Sequence, residues 1–170
     1  WQNQQGSVWA VDNENRAYTF QDTNKNWSYD LGEIITQYDA DRDGLIAVPH
    51  VGNLAGLYAL DKYQEPFTFQ DFNNNWICDD GENIILENPD NDIIPAEPQE
   101  GMIGGIYTFD NSSEPYTFRD INNNWRYDMG QNGNGDSLVS LKPDADGTKT
   151  ITMNINILQD GEYHLYHQAM

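Results

Sequence analysis

Asp22, Asn24, Asn26, Ser28 and Asp30 fall on every second residue, and Glu33 follows three positions later. Asp71, Asn73, Asn75, Asp79 and Glu82 repeat the spacing, as do Asp120, Asn122, Asn124 and Asp128. A backbone that loops around one point turns such alternating side chains inward and gathers their oxygens. That donor set suits a hard cation such as Ca²⁺, which takes about six to eight oxygens. Alternating carboxylates with neutral amides supplies those oxygens without crowding like charges. The competing reading is a metal-free turn rich in Asn and Asp, whose side chains bond their own backbone. Three copies, each with acids at the first and ninth positions, favour the cation.

The charge balance agrees. The chain of 170 residues carries 28 acids against 8 bases, a formal net charge of −20. Such a chain is repelled by nucleic acids and by anionic membrane surfaces. Disorder is the usual companion of this acidity, but 38 % hydrophobic and 12 % aromatic residues can build a core. A compact chain with this charge calls for bound cations. Cys78 is alone, which excludes an intramolecular disulfide and a cysteine metal site. No apolar run approaches the roughly 20 residues that span a bilayer. The chain begins at Trp1, as a mature secreted protein trimmed of its signal, or a fragment, does.

The elements that must position these residues repeat. AYTFQDTNKNWSYDLGE begins at residue 17, PFTFQDFNNNWICDDGE at 66 and PYTFRDINNNWRYDMGQ at 115, a constant spacing of 49. Residues 8–12, 57–61 and 106–110 keep the same register upstream. The units are 1–54, 55–103 and 104–158, and residues 159–166 resemble residues 4–11, the opening of the first unit. Residues 159–170 are therefore either a partial fourth copy or a strand closing the domain.

The chain is expected to be all-β. Short aromatic and β-branched runs at 8–11 and 18–20 flank the turn residues 12–15, which predicts a hairpin, and the other units match. Weaker apolar runs follow at 34–36, 45–48, 84–86 and 138–141, and residues 151–157 alternate as a half-buried strand does. About four strands per unit fit either stacked β modules or a closed, pseudo-threefold, trefoil-like arrangement.

Counted from the first Asp, each loop resembles the calcium loop of the EF-hand family. The resemblance implies ligation from the first, third, fifth, seventh, ninth and twelfth positions, the seventh through its backbone carbonyl. This adds the carbonyls of Ser28, Ile77 and Arg126, and the side chains of Glu33, Glu82 and Gln131. A Gln offers one neutral oxygen where Glu offers two charged ones, so the third loop is expected to be weaker or to recruit Asn134 or Asp136. The family's invariant Gly at the sixth position is replaced by Trp27, Trp76 and Trp125. Strand-like residues precede each loop, so neither the helix–loop–helix fold nor a sensor role carries over. The likeness is to the EF-hand-like loops of β-rich bacterial extracellular proteins.

A second acidic cluster follows in each unit: Asp39, Asp41 and Asp43, then Asp90 and Asp92, then Asp144 and Asp146. These are either further calcium sites, bringing about three sites to as many as six, or solvated acidic turns. Asp12, Asp61 and Asp110 read more as hairpin-turn residues than as ligands. The three recurrent tryptophans either pack beneath their loops or offer flat platforms to sugar rings. His164 and His167 are three apart on an expected strand, which is poor geometry for a shared metal, and His50 is isolated. No phosphate-cradling loop, nucleophile elbow or zinc motif appears, so no catalysis is expected.

The resulting expectation is a secreted calcium-binding structural protein that self-assembles through strand addition into a filament, surface layer or adhesin stalk. A calcium-dependent carbohydrate-binding module is the alternative. Removal of residues 159–170 is expected to abolish polymers in negative-stain micrographs while leaving folded monomers; polymers that persist refute strand addition by this segment.

Overall fold

The computed structural model describes residues 4–128 and 135–141, which form nine strands and no helix. Three hairpins pair β1 (Val8–Val11) with β2 (Ala17–Gln21), β4 (Ala55–Leu60) with β5 (Pro66–Gln70), and β7 (Gly104–Phe109) with β8 (Pro115–Arg119). Their registers correspond: Val8 faces Phe20, Leu57 faces Phe69 and Ile106 faces Phe118. A third strand adds to each hairpin: β3 (Ile34–Gln37), β6 (Asn83–Leu86) and β9 (Ser137–Leu141).

The turns explain the hairpins. Asp12 Oδ1 accepts the N–H groups of Glu14 and Arg16 at 2.8 and 3.0 Å. Asp61 does the same for Tyr63 and Glu65, and Asp110 for Ser112 and Glu114. These aspartates are turn residues, each satisfying the donors that a tight turn leaves bare. Asp12 and Asp61 also accept the N–H groups of Val48 and Glu97, both at 2.8 Å, and so pin the segment that leads to the next hairpin.

Antiparallel pairing then carries the chain around a closed course. Trp9 pairs with Gly56, and Tyr58 with Gly105. The equivalent third pair, Tyr107 with Ser7, returns to the start with backbone hydrogen bonds of 3.0 and 2.8 Å. Of the two arrangements open in the sequence, the curled sheet follows the closed one rather than a linear stack. Residues 45–48, read as a weak strand, form none: Leu45, Ile46 and Val48 are exposed and only Ala47 is buried. Residues 151–170, with the alternating segment and the resemblance to residues 4–11, lie outside the described residues.

One face of β1, β4 and β7 packs Val8, Leu57 and Ile106 into a core with Tyr18, Phe20, Phe67, Phe69, Tyr116 and Phe118. Tyr29 and Tyr127 pack edge-on against Phe20 and Phe118 at 5.2 and 5.3 Å. Cys78 holds the corresponding place in the second unit, 5 % exposed, as a small apolar filler whose thiol is pushed up by burial. On the opposite face Trp9, Tyr58 and Tyr107 form a fully buried aromatic triad, with ring centroids 4.9–5.2 Å apart.

Gly56 and Gly105 sit hard against the backbone of the partner strand within their own hairpins. A Cβ at Gly56 would lie 2.6 Å from the Phe69 carbonyl oxygen, and one at Gly105 2.8 Å from that of Phe118. Backbone cannot give way as a side-chain tip does. Gly56→Ala is therefore expected to cost about 1–3 kcal/mol, read as a lowered urea midpoint; an unchanged midpoint contradicts this close approach.

Candidate metal centre

Each loop is organised by the aspartate at its head. Asp22 is buried and accepts the N–H groups of Asn26 and Trp27 at 3.2 and 2.8 Å. Asp71 holds Asn75 and Trp76 at 3.2 and 2.9 Å, and Asp120 holds Asn124 and Trp125 at 3.2 and 2.8 Å. Burial pushes the Asp22 and Asp120 carboxyls up, aided by the charges of Glu33 and Asp136 respectively, while these N–H groups pull them back.

The sixth-position tryptophans adopt the left-handed conformation that a glycine would otherwise supply. Their φ angles are 62°, 67° and 61° at Trp27, Trp76 and Trp125. For an L-residue this costs roughly 1–2 kcal/mol. The N–H bond to the head aspartate offsets that cost. The Trp carbonyls then point outward: Ala55 N–H reaches that of Trp27, Gly104 that of Trp76 and Gly6 that of Trp125, at 2.7–2.9 Å. Each loop is thereby tied to the next hairpin.

The far end of each loop is closed by a carboxylate. Glu33 accepts the N–H groups of Thr23 and Asp30 at 2.9 and 3.0 Å, and Glu82 those of Phe72 and Asp79 at 2.9 and 3.1 Å. In the third loop Asp136 takes this role, accepting Ile121 and Asp128 at 2.9 and 2.8 Å. Gln131 and Asn134 lie outside the described residues. A shorter side chain arriving after a longer excursion does the work of Glu. A gap-free count of positions points to Gln131 instead.

Inside the loop the amides turn their nitrogens toward the ninth-position acid. Asn24 and Asn26 Nδ2 both donate to Asp30 Oδ2 at 2.7 Å, and Asn73 and Asn75 to Asp79 Oδ2 at 2.7 Å. Asn122 and Asn124 likewise donate to Asp128, whose carboxyl they lower. The Asn24 and Asn26 oxygens meanwhile accept the N–H groups of Asn26 and Ser28. The three acids of the first loop and those of the second do not gather as closely as Asp39, Asp41 and Asp43 do. Ligation requires the amides to rotate so that oxygen, not nitrogen, faces Asp30. The carbonyl-bearing residues Ser28, Ile77 and Arg126 sit at isolated bridges to Leu54, Ile103 and Gln5, so the seventh position also belongs to the joint between units.

Among the described residues, the acids that gather closely are Asp39, Asp41 and Asp43, with one oxygen from each lying within 4.8 Å of the others. Asp39 accepts the N–H groups of Asp43 and Gly44, both at 3.1 Å, and Asp43 accepts that of Leu45 at 2.8 Å. Asp41 differs: both of its oxygens are buried and neither makes a well-formed hydrogen bond, with only the Asp43 N–H and the Asp39 carboxyl near. Burial, then the charges of Asp43 and Asp39, push its carboxyl up to about 6. The hydroxyl of buried Tyr58 and the indole N–H of Trp9 are also unpartnered. A dry carboxylate flanked by two more fits a divalent cation, since an uncompensated buried charge is costly. In the second unit Asn88 replaces the first acid and donates to the Asp92 carbonyl at 2.6 Å, leaving Asp90 and Asp92 without a third carboxylate in that segment. Asp144, Asp146, His164 and His167 lie outside the described residues, and His50 is exposed.

In comparisons with known proteins, no family model matches the chain, and neither a curated protein nor a solved structure matches it.

The folded-state value of Asp41 exceeds the ordinary 3.8, so the folded chain binds its proton more tightly than the unfolded chain does. The contribution of Asp41 to metal-free stability therefore falls as pH rises from 3.8 through about 6. In EDTA, Asp41→Asn should melt higher than the unaltered chain at pH 7, with a smaller advantage at pH 4. An advantage equal at both pH values contradicts a buried, unpaired Asp41.

Proposed function

We propose that the protein is an extracellular calcium-binding structural module in which Ca²⁺ is part of the fold. The observation that carries this reading is the triple occurrence of one loop, each with a head aspartate, a left-handed Trp and a closing carboxylate, which is Glu33, Glu82 or Asp136. Cation binding inside such a loop fixes the Trp carbonyl that holds the next hairpin, so it stiffens the joints between units as well as the loop itself. The Asp39–Asp41–Asp43 cluster is a further site on the same reading. Calcium there replaces the missing partners of Asp41. Affinities of roughly 10⁻⁴–10⁻³ M suffice outside a cell.

The structural role proposed is that of a filament, surface layer or adhesin stalk, assembled from copies of this chain by strand addition. The seat on β7 that accepts Ser7 is filled within the chain, and residues 159–166 resemble residues 4–11. A segment from a second copy competing for that seat gives a head-to-tail contact, and repetition of the contact gives a fibre. No helix among the described residues is long and apolar enough to cross a membrane.

Removal of calcium tests the central claim. With a dissociation constant of about 10⁻⁴ M, about 10 mM Ca²⁺ contributes roughly 2.7 kcal/mol per site. EDTA should lower the melting temperature markedly, Ca²⁺ should restore it, and Mg²⁺, which demands stricter octahedral geometry, should restore it less. A melt insensitive to EDTA overturns the proposal.

A further inference from the structure

The geometry points to a binding site for a neutral oligosaccharide at the centre of the three loops. There a cavity of about 580 Å³ opens, within the range of roughly 300–1,000 Å³ that small-molecule sites occupy. Its floor is Val8, Leu57 and Ile106, one from each of β1, β4 and β7, and its walls include Trp27, Trp76 and Trp125. These rings are half-buried, so part of each indole is held by the core while part remains available.

The rim has a different chemistry. Lys25, Asn74 and Asn123, the fourth residue of each loop, are exposed and line the opening. All three adopt left-handed backbone conformations, φ 56–58°. Lys25 Nζ donates to Asn123 Oδ1 and so links the first loop to the third across the mouth. Apolar flat faces below and amide and ammonium groups above match a sugar ring, whose C–H face stacks on aromatics and whose hydroxyl edge bonds polar groups.

Charge selects among the alternatives. Asp22, Asp71 and Asp120 also line the cavity, but their oxygens are engaged by loop N–H groups. Together with the net charge of −20 they disfavour an anionic ligand. The Lys25 ammonium is held at the mouth by Asn123 Oδ1, so the rim offers amides and one ammonium to a hydroxyl edge. Flat indole faces beneath such a rim favour a neutral, hydroxyl-rich ring.

This site rests on the loop framework and not on calcium, and the two fail separately. The test titrates the full chain with maltotriose, cellotriose, mannotriose and chitotriose up to about 10 mM, following Trp fluorescence and calorimetry in Ca²⁺ and in EDTA. Expected is saturable binding of at least one trisaccharide in Ca²⁺. Trp76→Phe or Lys25→Asn should weaken it about 3- to 10-fold, the loss of one stacking contact or one hydrogen bond. Lys25→Asn keeps the fold, because it installs the residue that stands at 74 and 123. Absence of saturable binding by all four trisaccharides overturns the site, as does binding unchanged in both variants. Tetramethylammonium bound in preference to every trisaccharide overturns the neutral-ligand assignment. Sugar binding with a melt insensitive to EDTA keeps the site and removes calcium.

Discussion

The carboxylate at the head of each loop sets a chain of consequences that reaches the whole molecule. Asp22, Asp71 and Asp120 draw in the N–H group of a tryptophan five residues on and stabilise it in a left-handed turn. That turn directs the tryptophan carbonyl to the following hairpin, and the third such bond, from Gly6 to Trp125, reaches back to the first unit. The closed course of the sheet, the buried aromatic triad on one face and the cavity on the other all follow from it. A side chain spent on its own loop thereby fixes contacts between segments distant in sequence.

Two buried aspartates show how local supply of donors decides electrostatics here. Burial alone would raise Asp12, yet the N–H groups of Val48, Arg16 and Glu14, with the Arg16 guanidinium, bring its carboxyl down to about 2. The Asp41 carboxylate oxygens are buried without such a set of donors, and its carboxyl rises. The loop carboxylates accept N–H groups and Asn amides. Backbone donors thus engage many of these carboxylates locally, and Asp41 is the place where such donors are missing. Arg42, beside Asp41, is turned away over the Phe109 ring at 4.0 Å and bonds the Ser113 carbonyl, and so leaves Asp41 unpaired.

The hairpins were legible in the sequence, because a constant spacing of 49 and a compact Asp-led turn are local signals. The places of the three loops, directly after β2, β5 and β8, were legible for the same reason. Asp136 was recognised only as one of two substitutes for Gln131, since sequence spacing does not say which side chain folds back to Ile121 and Asp128. Residues 45–48 read as a strand on composition, but their backbone serves Asp12 and Tyr38 instead. Closure through Ser7 and Tyr107 had no local signal, because it joins residues a hundred positions apart through backbone groups that every residue carries. The dry state of Asp41 likewise depends on what packs over it, which no spacing records.

The return of Ser7 to Tyr107 has a mechanical meaning. Two of the three junctions between hairpins are backed by continuous backbone, whereas this one is held by hydrogen bonds and packing. Tension transmitted along the chain is borne covalently at the first two and must be carried by noncovalent contacts at the third. The ring is therefore a clasp: under load it opens at one defined place, and each hairpin can keep its own pairing while the clasp gives.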